Sequence, residues 1–328
     1  MARRNIIVIG ASAGGVYALK ELVATLPADL PASIFIVLHV APNMPSLLPD
    51  ILNHNGKLKA VHPEEGKPIQ EGHIYIAPPN HHLLVEKGLV AVTKGPKENR
   101  FRPSIDALFR SAAYNYGSQV IGVVLTGLLD DGTSGMWSIK RLGGVSIIQE
   151  PEEAMYAAMP ENVKEHVEVD YTVSIREMGA LLVELTRQDV EQQGDLSPEE
   201  DKRMQIEVKI AEQNNAFTMD ILEEGSLVPL TCPECHGTLV SIQEGTLIRY
   251  RCHTGHAFTA GSLLADVNKN VEESLWSAVR SLDEAYILMQ QTANALQQGG
   301  NQDAAQEYSL KAVDAQKRAE KIRALVFE

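Results

Sequence analysis

Ser12 stands in Gly10-Ala11-Ser12-Ala13-Gly14, between the apolar run Ile6-Ile7-Val8-Ile9 and a helical pattern. This is a G-x-S-x-G arrangement at a strand-to-helix turn. Glycines two residues to either side let the backbone turn sharply and lift a hydroxyl off the rim of a sheet. The following helix brings unpaired N–H groups and partial positive charge beside it, which suits an oxyanion. The same geometry also holds phosphates. The motif alone therefore leaves three readings: a nucleophile, one wall of a phosphate loop, or a plain turn. A nucleophilic serine needs a base, usually histidine, and a group to orient that base. His39 sits at the tip of the otherwise apolar stretch Ser33–Val40, where core filling does not call for an imidazole. Asp130 and Asp131 follow the run Val120–Thr126, and beside Gly132 they also read as a helix N-cap. Ser12, His39 and an aspartate thus each end a different strand candidate. In an open parallel sheet, such strand ends share the rim where ligands gather.

A second constellation lies far downstream. Cys232-Pro-Glu-Cys235 is followed, 17 residues after its second cysteine, by Cys252-His253-Thr254-Gly255-His256. Two ligand pairs joined by a strand-like segment with a turn at Glu244-Gly245 have the spacing of a zinc ribbon. There are three cysteines in the chain, so a histidine must supply a fourth ligand. His256 gives a Cys-x-x-x-His knuckle, His253 is awkwardly close to Cys252, and His236 is a weaker rival. The bland alternative is a reduced Cys-x-x-Cys with unrelated histidines. About 30 residues bury too little apolar surface to fold unaided, which favours a metal. With four protein ligands the site is closed and therefore structural.

These groups need elements to position them. Strand candidates are Asn5–Ile9, Ser33–Val40, His73–Ala77, Val120–Thr126, Val145–Gln149 and Tyr171–Val173. Helical patterns fall between them: Val16 to Leu26, Pro103 to Gly117 with Pro103 as the first helical residue, Gly132 to Gly144, and Arg176 to Gln188. Residues 82–94 read as a hairpin. Near-continuous apolar strands alternating with helices predict an α/β fold, a doubly wound, mainly parallel sheet covered on both faces. Beyond Gln188 the composition changes. Residues 187–225 hold 11 acidic against 4 basic side chains, half of the net charge of −14 of the 328-residue chain. We read residues 189–228 as an acidic linker with a solvated helix around 197–217, then residues 229–260 as the ribbon unit. Apolar residues from Leu264 to Leu288 recur at helical spacing, Gly299-Gly300 interrupts, and an Ala-rich helix follows. Residues 261–328 thus form a helical hairpin. Its apolar stripe serves mutual pairing of the helices or a signalling partner.

The net charge argues against a nucleic-acid partner. No apolar run reaches the ~18 residues of a transmembrane helix, and the short run after Arg3-Arg4 reads as a first strand rather than a leader. Cysteine usage is not that of a secreted disulfide scaffold, so a cytoplasmic location is expected. The order Ser, His, Asp differs from the α/β-hydrolase order, and Ser12 breaks the dinucleotide-binding glycine pattern.

Five blocks, IGASAGG, LHVAP, YIAPPNHHL, RPSIDALFRSAA and VVLTGLLDDGTSGM, occur in this order. Together they resemble the catalytic domain of the chemotaxis protein-glutamate methylesterase (CheB) family. The resemblance covers Asn5 to about Gln188, which sets the first domain at residues 1–188. It implies hydrolysis of γ-glutamyl methyl esters on chemoreceptors with release of methanol, and deamidation of receptor glutamines. It needs no catalytic cofactor and places no part of the chain in a membrane. By motif position it makes Ser12 the nucleophile, His39 the base and Asp131 the orienting carboxylate, with the backbone N–H groups of Ala13 and Leu128 as oxyanion-hole candidates. Two positions depart from the family pattern: Ala13 replaces a common Thr and Leu129 a frequent Gly. The family's N-terminal receiver domain is not expected here, because the resemblance starts at residue 5. In the basic stretch holding Lys94, Lys97, Arg100 and Arg102, the two lysines read as a solvated loop, and Arg102, which lies within the resembling block, as a contact for an acidic receptor helix. Residues 1–188 are expected to act autonomously. The competing reading is a non-catalytic adaptor that binds partners through its ribbon and helices.

Overall fold

In the run Ile6–Ala11, alternate side chains enter different cores. Ile7, Ile9 and Ala11 join one apolar cluster, and Ile6 and Val8 another. A strand whose two faces are both covered has no polar face, which is why the sequence reads as a continuous apolar run. The computed structural model describes residues 2–190, 196–212 and 221–327. Its strands are β1 (Ala2–Arg3), β2 (Ile6–Ala11), β3 (Ser33–Leu38), β4 (Lys59–Val61), β5 (Lys67–Pro68), β6 (His73–Ile76), β7 (His82–Val85), β8 (Leu89–Thr93), β9 (Val120–Val124), β10 (Val145–Gln149), β11 (Tyr171–Val173) and β12 (Asp189–Val190) in the first two-thirds of the chain. A seven-stranded sheet runs β11-β10-β9-β2-β3-β6-β4, with every pairing parallel. β1 pairs antiparallel with β12, and β5, β8 and β7 form a small antiparallel sheet. All six strands expected from the apolar runs are present, and so is the hairpin. The short edge strand β4 lacked a readable pattern.

Helices cover both faces. α1 (Gly15–Thr25), α2 (Leu48–Asn55) and α6 (Ile175–Leu185) bury Leu22, Leu52 and Met178 in one cluster. α3 (Ile105–Tyr116), α4 (Thr133–Arg141) and α5 (Ala158–His166) bury Leu108, Met136 and Val163 in the other. The coarse expectation of an α/β parallel sheet with helices therefore holds. Pro103 does not begin α3. Ser104 is the N-cap and Ile105 the first helical residue, with Pro103 outside and joined to Arg102 by a cis peptide.

The acidic segment differs from its expectation. α7 (Pro198–Ala211) has the capping box Ser197/Glu200, as its sequence suggests. It is not solvated, however: Met204, Ile206, Glu207, Val208, Ile210 and Ala211 are buried. β13 (Ser226–Thr231), β14 (Thr238–Glu244), β15 (Leu247–Cys252) and β16 (Ala257–Thr259) then form an antiparallel four-stranded sheet in chain order. Three arginines and three glutamates meet in a buried cluster of zero formal charge: Arg110, Arg249 and Arg251 against Glu98, Glu207 and Glu244. Arg110 lies 3.1 Å from Glu98, Arg249 2.9 Å from Glu207 and 2.7 Å from Glu244, and Arg251 2.7 Å from Glu98. Arg251 also pairs closely with Glu207. The cluster ties α3 to α7 and to the strands β14 and β15. α7 and the four strands β13 to β16 lie in the same compact unit as the parallel sheet.

Burial alone would raise the pKa of Glu98 and Glu207, but the neighbouring arginines outweigh it. Glu98 is held well below the usual carboxylate range and Glu207 at about 2. A folded-state pKa below the unfolded value gives stabilisation that is complete above ~4.3 and is lost as pH falls towards the folded value. The thermal midpoint is therefore expected to drop steeply between pH 5 and pH 2, on the order of several degrees from this cluster. Glu207→Gln should lower the midpoint at neutral pH and flatten that acid slope, as melting curves across the range will show.

Contacts divide the chain into Met1–Leu263 and Leu264–Glu328. α8 (Ala260–Gln298) starts in the first unit. Its remainder and α9 (Gln302–Phe327) make the second. There the two helices pair as expected: Trp276 meets Phe327 edge-on at 5.9 Å, Asp283 pairs with Arg323, and Ala305, Ala312, Ala315 and Ala319 are buried. No helix among the described residues is long and apolar enough to cross a membrane.

Candidate active site

Ser12 follows β2, His39 follows β3 and Asp131 lies beyond β9, three adjacent strands of the sheet. Chain order reverses between β2 and β9, so this is a topological switch point, where parallel sheets open a crevice. Gly14, at φ 78°, takes the left-handed conformation that turns the chain from Ser12 into α1. Gly10 passes so close to α3 that an added Cβ would come within 2.4 Å of Ile105. The structure brings the three expected residues together. His39 Nδ1 is 3.1 Å from Ser12 Oγ, and His39 Nε2 is 2.8 Å from Asp131 Oδ2. The Asp131 side chain is 1% exposed and that of His39 4%, so solvent scarcely competes for this pair.

Asp131 is anchored on all sides. Its Oδ2 also accepts from Ile105 N at 2.8 Å. Its Oδ1 accepts from Ser104 Oγ and Asn99 Nδ2, both at 3.0 Å, and from Asp106 N at 3.2 Å. It therefore occupies the N-terminus of α3, where free N–H groups favour a carboxylate. Burial pushes its pKa up, but bonds from His39, Asn99 and Ile105 prevail and hold it below the ordinary range. An ionised Asp131 can only accept, so the imidazole proton sits on Nε2. Nδ1 then presents a lone pair to the Ser12 hydroxyl. Asp106 returns the arrangement: its Oδ1 accepts from Gly132 N at 3.0 Å and Gly135 N at 2.6 Å, at the start of α4. Burial, then the charge of Asp131, raises the Asp106 pKa well above normal. Asp130 is not the N-cap that its position beside Gly132 suggests, since Asp106 fills that role. Asp130 instead accepts from Thr259 Oγ1 at 2.6 Å, and burial raises its pKa.

Residues missed by the sequence reading complete the surroundings. Phe101 stacks on His39, ring centroids 3.7 Å apart and 8° from parallel. Thr126 Oγ1 donates to Ala13 O at 3.0 Å and accepts from Tyr156 N at 2.9 Å, tying the serine turn to the loop before α5. Ser104 and Asp106 lay in plain view within RPSIDALFRSAA. Asn99 and Phe101 had no motif to mark them. Near Ser12, the N–H groups of Ser12 and Gly127 are occupied by Thr126 O and Tyr156 O, both at 3.0 Å. Those of Ala13 and Leu128 make no such backbone bond among the described residues. Leu129, where the family often has glycine, takes φ 64°, the left-handed region that glycine enters without cost. Arg102, expected to face a receptor, braces its own loop: Nε and Nη2 donate to Asn80 Oδ1 at 3.0 and 2.8 Å, and Nη1 to Gly95 O at 2.8 Å. Lys97 pairs with Glu234 at 2.7 Å.

The second constellation also assembles. Donor atoms of Cys232, Cys235, Cys252 and His256 all lie within 4.8 Å of one another, so the group can hold a metal ion. Cys235 Sγ and Cys252 Sγ are 3.7 Å apart, and His256 Nδ1 is 3.7 Å from Cys232 Sγ and 3.6 Å from Cys252 Sγ. His253 packs on Gly237 instead, and His236, at φ 60°, serves the knuckle turn.

Comparison with known proteins adds to this geometry. The family model described as CheB methylesterase matches residues 7–182. A protein of Leptospira interrogans, assigned the methylesterase and glutaminase activities provisionally, is 39% identical over 187 residues, which is 57% of this chain and 97% of that protein. A protein-glutamate methylesterase/protein-glutamine glutaminase of Methanosarcina acetivorans is 35% identical over 192 residues, 56% of this chain. The match spans about half of that longer relative, 54%. The crystal structure of the Thermotoga maritima CheB methylesterase catalytic domain superposes with a TM-score of 0.54 at 33% identity, covering 56% of this chain and 100% of that one. With the strand order, the rim residues and these matches in agreement, the chain belongs to the CheB methylesterase family.

Proposed function

We propose that this chain is a serine-dependent protein-glutamate methylesterase acting on methylated chemoreceptor-type proteins, with glutamine deamidation as a second reaction of the same site. The observation that carries the reading is the line Ser12–His39–Asp131, bonded at 3.1 and 2.8 Å inside a family-matched domain. Ser12 Oγ attacks the γ-carbonyl carbon as His39 Nδ1 takes its proton. The oxyanion is met by the N–H groups of Ala13 and Leu128 and by the positive end of α1. The imidazolium, steadied by Asp131, returns the proton to the departing methoxide, so methanol leaves an acyl-serine. Water, deprotonated by the same imidazole, then frees the glutamate and Ser12. For a glutamine the leaving group is ammonia. The adaptor reading is not favoured, because a binding module has no need of a buried, fully bonded Asp131 behind an imidazole.

The cysteine group fits zinc. Tetrahedral Zn²⁺ with Zn–S of ~2.3 Å and Zn–N of ~2.0 Å sets ligand atoms ~3.5–3.8 Å apart; three of the pairs here are 3.6–3.7 Å apart, in a group that lies within 4.8 Å. Cys232, Cys235, Cys252 and His256 would hold it, with Thr254 Oγ1 2.9 Å from both Cys235 and Cys252 Sγ. Four protein ligands leave no open position, so the ion staples the two knuckles of the ribbon and takes no part in ester hydrolysis. The site of action is cytoplasmic, on the receptor's signalling region. The test is methanol release, and separately ammonia release, from an enzymatically methylated soluble chemoreceptor signalling fragment. Methanol appearing in proportion to enzyme is expected. Its absence with folded protein counts against this substrate class.

A further inference from the structure

The turn Glu98-Asn99-Arg100-Phe101 lies between the candidate triad and the ribbon. Glu98 and Phe101 exchange backbone bonds, at 3.2 and 2.9 Å, and both central residues have positive φ, 48° and 76°. That is a two-residue turn of the type that glycine or asparagine favours, and Arg100 at its second corner is costly. Such a conformation persists where its surroundings over-determine it. Here they do. Asn99 N donates to Ala257 O at 2.8 Å, and Ala257 N to Lys97 O at 3.2 Å, so ribbon strand β16 pairs with the turn.

Asn99 uses its whole side-chain capacity across that seam. Its Nδ2 donates to Asp131 Oδ1 at 3.0 Å and to Asp106 Oδ2 at 2.7 Å. Its Oδ1 accepts from Thr259 N at 2.9 Å and Ser262 Oγ at 3.1 Å. An amide with two donors and two acceptor sites all satisfied, at 3% exposure, has one orientation open to it. Thr259 and Ser262 are themselves locked together at the start of α8: Thr259 N donates to Ser262 Oγ at 2.9 Å, and Ser262 N to Thr259 Oγ1 at 3.1 Å. The same turn carries Phe101, stacked on His39. One seam therefore reaches two of the three triad members.

We propose that the C-terminal ribbon is a positioning element of the esterase site, acting through Asn99 on Asp131 and through Phe101 on His39. This rests on the triad reading above. Asn99 touches no reacting atom and is a positioning residue. The family match ends at residue 182, so this support is an addition made by the rest of this chain. The acidic segment and ribbon are thereby parts of the working enzyme, and residues 1–188 alone lack the groups that orient Asn99.

The test uses the full-length chain and a fluorophosphonate probe, which needs no receptor. Ser12 Oγ displaces fluoride from phosphorus, and His39 accepts the hydroxyl proton. The rate of this step reports how well the triad is held. Asn99→Ala is expected to lower the maximal labelling rate about tenfold or more, with the half-saturating probe concentration unchanged within about twofold. Ser262→Ala removes one hydroxyl on the ribbon side and should lower the rate about threefold in the same manner. Because both act through one amide, the double variant should be no slower than Asn99→Ala alone. Wild-type labelling rates in both single variants overturn the proposal, as does full additivity in the double variant or a change confined to probe affinity. Melting curves identify any Asn99→Ala sample that fails to fold, in which case Ser262→Ala decides. Ser12→Ala is run alongside. If it is still labelled, the triad reading has failed. If it is not labelled while the other variants match wild type, only the role of the ribbon has failed.

Discussion

Ser12→Ala will release methanol from a methylated receptor fragment at least about a thousandfold more slowly than the native chain, with the fold intact. The size follows from the chemistry. Without Oγ there is no acyl-enzyme, and His39 and Asp131 have nothing to activate. Removing a triad nucleophile leaves only what oxyanion donors and binding supply, and losses of ~10³–10⁶ are the rule. Stability should change little. The structure ties Ser12 by its N–H, 3.0 Å from Thr126 O, and alanine keeps that bond. Among the described residues the hydroxyl's side-chain bond is to His39 Nδ1, and His39 stays held by Asp131 at its other nitrogen and by Phe101 on its face. The measurement pairs methanol release with thermal unfolding. Near-native turnover in a folded variant would remove Ser12 from the mechanism. Low turnover with a lost melting transition would show only that the variant had unfolded.

The second large effect concerns the ribbon. Its own apolar core is Cys232, Leu239, Cys252, Phe258 and Leu263, and two of those five are ligand candidates. Such a core is far too small to meet the ordering cost of four strands. Structural zinc supplies on the order of 10 kcal/mol in ribbon-sized peptides. Protein prepared without chelators is therefore expected to hold one zinc per chain, and Cys252→Ser to hold none. The loss should open the ribbon to protease while the parallel sheet keeps its melting transition. The buried ion pairs of Arg251 with Glu98, and of Arg249 and Arg251 with Glu207, would be broken with it, at the cost of leaving charges unpaired. Elemental analysis with limited proteolysis checks this. A metal-free native chain whose ribbon resists protease would sink the assignment.

Much of the sheet was legible because burial on two faces leaves a simple trace. Six runs such as Ile6–Ile9 and Val120–Thr126 have no other economical use in a chain of this composition. The helices with a wide apolar stripe, α1, α3, α4 and α6, were readable for the same reason. α2 and α5 were not, because they bury only two and three residues and so leave too sparse a pattern to show a period. α7 was misread as solvated because its pattern is polar: Glu207 looks like a surface residue until its partners are known. Those partners, Arg249 and Arg251, are 42 and 44 residues away in sequence.

What the sequence determined by itself, then, was everything that follows from local periodicity and from chemistry-bearing residues at short spacing. That includes the parallel sheet, the rim positions of Ser12, His39 and an aspartate at 130 or 131, between which the family resemblance chose Asp131, the Cys-x-x-Cys knuckles, and the break at Gly299-Gly300. Tertiary structure alone decided which polar groups are buried and whom they meet. It chose His256 over His253 and His236, moved the capping of α4 from Asp130 to Asp106, and turned Arg102 inward to Asn80 and Gly95. It also joined Asn99 to a ribbon 160 residues downstream. The reason is physical. An apolar side chain needs only to leave water, and a local pattern records that need. A buried polar side chain needs a specific partner at a specific distance and angle, and no local pattern records where along the chain that partner lies.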